Sequence, residues 1–369
     1  MSAKVATPPS RTRNLDNLTL SRKEGWRAIV DAPPPVRPEP LTVRQLHALS
    51  ESAVTTYNLR RSDWHANIRV KTPQLEALHE DLWEILDSNS QHGDRAKGAI
   101  AIDGYPGLGK TTAVQAFAEQ FHRREISRRG AMTDAGDERW PVCRVGLRGN
   151  TSMKNFNRAL CDFFAHAGTN RGNTEQLADR ALDCILSCET RLLIIDDLHF
   201  LHWQFNGGVE ISNHFKFIAN DFPVTLLSIG IGLGERGLLG EGATPGQLAQ
   251  TTRCTTMLEM APFKVKLERE RRQWRRFLRT IEERLVLARK HQGMLEEDLS
   301  DYLFIRSEGY IGSLMSLIER GVQRAIRRGT ETLTAQLLDT IKIDRAAELA
   351  RSELEAAFRT RKKSTQILR

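Results

Sequence analysis

From Gly104 to Thr112 the chain reads Gly-Tyr-Pro-Gly-Leu-Gly-Lys-Thr-Thr, directly after the apolar run Ala99-Ile100-Ala101-Ile102. This is a G-x-x-x-x-G-K-S/T phosphate-binding loop, and it constrains the fold because such a loop joins a strand to a helix. Gly104, Gly107 and Gly109 let the backbone curl so that successive N–H groups point at phosphates, where a Cβ would obstruct. Tyr105, Pro106 and Leu108 occupy the variable positions. Lys110 adds a positive point charge, Thr111 a hydroxyl for Mg²⁺, and Thr112 continues into the helix. Behind it Ala113, Val114, Phe117, Ala118 and Phe121 recur at helical spacing. The motif predicts binding of ATP or GTP.

Such a loop needs a second anchor for the metal. The apolar run Leu192-Leu193-Ile194-Ile195 ends in Asp196-Asp197, the pattern of a strand that delivers carboxylates to the same sheet edge. Asp196 is expected to hold Mg²⁺ and Asp197 to orient the attacking water as the catalytic carboxylate. Further strands are predicted at 142–147 and 224–229, with helices at 153–167, 174–188 and from about 209. The alternation predicts an α/β domain, a parallel sheet flanked by helices. The charged stretch 123–139 reads as a surface extension between a helix and its strand. His199 and His202 have metal-compatible spacing, but no further ligands accompany them.

The prolines Pro8, Pro9, Pro33, Pro34, Pro35, Pro38 and Pro40 lie among charged and small residues, so 1–40 is expected to be a mostly disordered arm. Leu46, Leu49, Leu75, Leu78, Leu82 and Ile85 predict a helical lead-in over 41–95. The phosphate-loop core is placed at 96–262, and a helical region with a basic tail at 263–369. The five cysteines form no C-x-x-C pair and read as small core residues of a cytoplasmic protein. No run approaches the ~18 apolar residues of a membrane span. The net charge of +8 and a pI near 9.4 favour a polyanionic partner.

Over about 96–330 the chain resembles the AAA+ ATPases, specifically the TniB and TnsC type of transposition regulators. The residues that carry the resemblance are the two nucleotide motifs, Phe222 to Gly230, Gln247-Leu248 with Arg253, Pro262-Phe263, and Glu308 to Leu314. It implies a P-loop NTPase (AAA+) core with a C-terminal α-helical lid. It also implies Arg253 as an arginine finger reaching a neighbour's γ-phosphate, and Ser228 as a sensor on the fourth strand. The family's polar sensor position is followed here by Gly230-Ile231-Gly232, and 309–314 contains no second sensor arginine. Asp197 stands where such ATPases usually carry Glu, one methylene longer, so slow turnover is expected.

In the lid, Trp274, Phe277, Leu278, Ile281, Leu285 and Ala288 share one helix face. Arg272, Arg275, Arg276 and Arg279 form a basic ridge on the other, a candidate phosphate-contacting surface for nucleic acid. Ile311, Leu314, Met315, Ile318, Val322 and Ile326 mark another packed helix ended by Gly329. The 359–363 run reads as a mobile basic tail. The leading expectation is an oligomerising ATPase that uses ATP and Mg²⁺, binds DNA without sequence preference and regulates a transposase or integrase. The alternatives are a signalling or defence switch acting on a protein partner without DNA, and a small-molecule kinase, against which the long basic helical tail argues.

Overall fold

The computed structural model describes residues 18–91, 97–149, 151–198, 217–218, 221–233, 255–360 and 364–366. The chain divides into two compact units. The first comprises Met1–Pro34, Glu84–Asp103 and Val114–Leu258, and the second Pro35–Trp83, Gly104–Ala113 and Glu259–Arg369.

The first unit holds a five-stranded sheet of order β2-β3-β4-β1-β5. Its strands are β1 (Ala99–Asp103), β2 (Val142–Gly146), β3 (Leu192–Asp196), β4 (Thr225–Ile229) and β5 (Thr255–Glu259). Pairing is parallel from β2 through β1, with Gly146 opposite Asp196, Ile195 opposite Ser228 and Ile102 opposite Ile229. Every residue of β3 and β4 is buried, because a parallel sheet is covered on both faces and its strands read as continuous apolar runs. β5, Thr-Thr-Met-Leu-Glu, lacks such a run and is only half-buried, which is why its sequence shows no strand signal.

Helix α5 (Lys110–Arg129) follows the phosphate loop and takes in the first seven residues of the expected 123–139 extension. It ends at Gly130, whose φ of 84° only glycine adopts freely. Helices α6 (Met153–Phe163) and α7 (Thr174–Ser187) pack against each other, α7 opening with a reciprocal Asn173/Gln176 capping box. Cys143 and Cys161 are buried thiols, and burial pushes both upward.

The arm expected over 1–40 is corrected from residue 18 onward; 1–17 lie outside the described residues. Helix α1 (Lys23–Val30) carries a fully buried Trp26. Its indole N–H donates to His122 Nδ1 at 3.1 Å, and Arg27 lies 4.6 Å over the Trp140 ring. One aromatic residue among the polar ones supplies the anchor that average composition conceals.

The second unit is helical. The lead-in forms α2 (Val43–His47), α3 (Glu51–Ala66) and α4 (Pro73–Gln91), the last crossing into the first unit. The lid forms α8 (Glu268–Arg284), a π-helical turn Met294–Asp298, α9 (Ser300–Ser307), α10 (Ile311–Arg327), α11 (Ala335–Asp339) and α12 (Arg345–Arg359). Trp274, Phe277, Leu278, Ile281, Leu314, Leu317 and Ile318 share its core. α10 ends before Gly329, which has a φ of 66°. Of the basic tail expected over 359–363, Arg359 ends α12 and 361–363 lie outside the described residues. Thr365 is fully buried, its N–H donating to Asp301 Oδ1 at 2.8 Å and its hydroxyl to Ser300 Oγ at 2.7 Å. Among the described residues no helix is long and apolar enough to cross a membrane.

Candidate nucleotide-binding site

The phosphate loop turns on three glycines with positive φ: 154° at Gly104, 79° at Gly107 and 80° at Gly109. A Cβ on Gly104 would meet Met260 O at 2.7 Å, so backbone proximity as well as φ demands glycine there. Leu108 is buried and anchors the turn, while Tyr105 is 66% exposed; Pro106, Thr111 and Thr112 are also exposed. The Lys110 ammonium donates to Gly104 O at 2.5 Å and Tyr105 O at 2.8 Å, which holds its charge against the loop backbone.

This loop belongs to the helical unit because the lid bonds to it. Gly312, in the first turn of α10, donates its N–H to Gly107 O at 2.8 Å, and a Cβ on Gly312 would lie 2.8 Å from the same oxygen. One step back, Phe263 N–H donates to Gly309 O at 3.0 Å, and a Cβ on Gly309 would meet Phe263 O at 2.3 Å. The Pro262-Phe263 and 308–314 segments therefore form one backbone-bonded joint that ends on the phosphate loop. The expected division at 262/263 separates what these bonds unite. The segment has no sensor arginine; its link to the loop is made by main chain.

In the sheet unit, Asp196 is 3% exposed at the carboxyl end of β3. Its Oδ2 accepts from Arg144 at 2.5 Å and its Oδ1 from Asp197 N–H at 3.1 Å. Arg144, on β2, belongs to no motif in the sequence. Only the register that sets β2 beside β3 brings it to Asp196. Asp197 is exposed, with a left-handed φ of 58°, a sparsely populated conformation for a non-glycine residue and one that clusters at functional sites. Ser228, 8% exposed, lies on β4 between Ala101 of β1 and Ile195 of β3. Asp103 is equally unmarked in the sequence: its carboxylate accepts from Gly232 N–H at 2.8 Å and Leu233 N–H at 2.9 Å and so shapes the turn after β4. Arg253, Gln247-Leu248, His199 and His202 lie outside the described residues.

The four arginines of the predicted ridge share α8 but differ in partners. Arg272 pairs with Glu268, and Arg279 forms a bidentate pair with the largely buried Glu296 at 2.5 and 2.6 Å. Arg275 lies 3.9 Å from Glu296. Arg276 is exposed. The ridge is thus largely compensated from within, by a π-helical turn 17 residues downstream of Arg279 that helical periodicity does not bring near.

Residues 93–236 match a protein family described as "AAA domain". No curated protein matches the chain. Among solved structures, the chain is similar to the ORC1 protein of Aeropyrum pernix in complex with DNA: 17% identity, TM-score 0.51, covering 79% of this chain and 67% of that one. It is also similar to the ORC2 protein of Aeropyrum pernix in ADPNP and ADP complexes, with 14% identity, TM-score 0.51, and 78% and 68% coverage. With the phosphate loop on its parallel sheet and a helical C-terminal region, the chain has the P-loop AAA+ fold.

Proposed function

We propose that this protein is an ATPase that binds ATP and Mg²⁺ at the phosphate loop, assembles into a homo-oligomer and acts on DNA together with a transposase or integrase. The observation that carries the reading is the loop itself: three positive-φ glycines, Lys110 folded onto the backbone, and a lid amide bonded to Gly107. A Cβ at Gly104 would collide with the Met260 carbonyl, so the loop's backbone path depends on glycine there. In this reading Gly104 to Thr112 hold the phosphates, and Thr111 and Asp196 hold the metal, which supplies charge neutralisation at the phosphates. Arg144 fixes the rotamer of Asp196, Asp197 accepts a proton from the attacking water, and Ser228 serves as the strand-borne sensor. Arg253 is assigned to the neighbouring subunit's phosphate.

DNA binding is supported by the +8 net charge and by the occurrence of this fold in a protein complexed with DNA. The ridge at Arg272, Arg275, Arg276 and Arg279 is one surface for it. The transposase or integrase partner rests on the sequence resemblance. The decisive test is equilibrium binding of a fluorescent ATP analogue. Lys110→Ala should lower affinity by about tenfold or more, because the β/γ-phosphate charge loses its counter-charge. Unchanged affinity and Mg²⁺ dependence would remove the nucleotide assignment.

A further inference from the structure

Helix α10 carries Arg320, Arg324 and Arg327 at spacings of four and three. At 100° per residue the three guanidinium groups fall within about 60° of one helix face, one turn apart. Together with Lys342 and His65 they line a cavity of about 560 Å³.

None of the cations in this wall is ion-paired among the described residues, although the charge of Arg320 acts on the neighbouring Glu319. Arg320 donates to Lys342 O at 2.5 Å and Arg324 to Thr340 O and Oγ1, and no carboxylate pairs with any of the four among the described residues. The one carboxyl among the described residues of the wall, Glu319, is pushed upward by burial. This is the reverse of the α8 ridge, whose arginines are largely paired with glutamates.

His65 adds no charge to the wall. It is 2% exposed, and Val286 N–H donates to its Nε2 at 3.0 Å. A backbone amide only donates, so Nε2 must accept. Burial, with Arg61 and Lys290 nearby, lowers the imidazole to about 4; it is neutral at pH 7 and carries its single hydrogen on Nδ1. That nitrogen has no hydrogen-bond partner among the described residues. Four cations without ion-paired carboxylates, around a cavity of this size, are the donor set of an oxyanion site.

We propose that this cavity is a second phosphate-binding site, separate from the phosphate loop, in which Arg320, Arg324, Arg327 and Lys342 receive the oxygens of one or two phosphoryl groups. The chemistry suits equally the backbone of a nucleic acid and a small phosphorylated compound. It is independent of the nucleotide assignment.

The test uses the full chain carrying Lys110→Ala, so that the phosphate loop is silenced, titrated by calorimetry with inorganic pyrophosphate and with a short DNA duplex. Among the described residues Arg327 and Lys342 have no side-chain partner whose removal would harm the fold, so Arg327→Gln/Lys342→Gln is the reporting variant. It should weaken pyrophosphate binding by about tenfold or more. For the duplex, the slope of log affinity against log salt should fall by roughly two, about 0.9 for each phosphate that is no longer neutralised. Duplex that displaces pyrophosphate identifies the nucleic-acid backbone as the source, and duplex that does not identifies a small phosphate compound. No binding of either ligand, or affinities unchanged by the double variant, would overturn the proposal. The same double variant on the chain that keeps Lys110 should bind the fluorescent ATP analogue within twofold of the parent, so failure here does not read as failure of the nucleotide site.

Discussion

Gly312 ties the lid to the phosphate loop through a single amide and has no room for a methyl group. In Gly312→Ala the new Cβ, 2.8 Å from the Gly107 carbonyl oxygen, must push the loop, so affinity for an ATP analogue should fall by about tenfold, worth ~1.4 kcal/mol. Gly321→Ala is the control. Its Cβ would meet only side-chain ends, Leu338 at 2.5 Å and Leu333 at 3.3 Å, and no backbone of the phosphate loop, so nucleotide affinity should be kept. Equal loss in both variants would mean that the effect is general destabilisation. Asp197 makes the second residue-scale case, since its exposed carboxyl sits on a left-handed backbone immediately after the buried Asp196. Asp197→Asn should retain nucleotide binding and lower steady-state phosphate release by about 10²-fold or more, because an amide is a poor proton acceptor. Turnover equal to the parent would place the base elsewhere. The positions of both residues were legible in the sequence. The reason glycine is needed at 312 was not, because the oxygen it avoids lies 205 residues away in the chain.

At the scale of elements, helix α3 is fastened by a buried ion pair to the segment that follows α10. Arg61, 1% exposed, forms two bonds to Glu331, at 2.7 and 3.0 Å, and a third to Asn58. Glu331 also accepts from Ala288 N–H at 3.0 Å. Removing one member leaves a buried charge without its partner, so Arg61→Met should cost about 3–5 kcal/mol in urea unfolding. The double variant Arg61→Met/Glu331→Leu should recover much of that loss. A double variant as unstable as the sum of its singles would show that the pair itself, not the orphaned carboxylate, carries the stability. Helical periodicity predicted the apolar faces of α8 and α10. It cannot predict a polar contact of this kind, because an arginine in a half-polar helix carries no mark of burial.

Two buried histidines contribute to the acid sensitivity of the molecule as a whole. Burial is the main cause that lowers both His65 and His122 from 6.5 to about 4. A histidine with a depressed folded value binds protons more readily when unfolded, so its effect on stability is nil above about pH 6.5 and grows as pH falls toward 4. Each should cost up to about 3 kcal/mol over that window. His122→Gln, which keeps an acceptor for the Trp26 indole, should flatten the loss of urea midpoint between pH 7 and pH 5. An unchanged slope would shift the acid sensitivity to other groups.

The sequence by itself determined the local chemistry: the phosphate loop, the strand that ends in Asp196-Asp197, the buried runs of β3 and β4, and the apolar faces of the lid helices. Each is a short pattern whose physics is settled within a few residues, by glycine's freedom at positive φ or by the period of a strand or helix. Tertiary structure decided what those patterns touch. It set Arg144 on Asp196, anchored α1 through Trp26 on His122, docked Thr365 on Ser300 and Asp301, and compensated most of the predicted α8 ridge with Glu268 and Glu296. It left Arg320, Arg324, Arg327 and Lys342 without carboxylate partners among the described residues. Whether a charge is spent within the fold or kept for a ligand depends on neighbours brought together only by folding, and no local pattern in the chain encodes that distance.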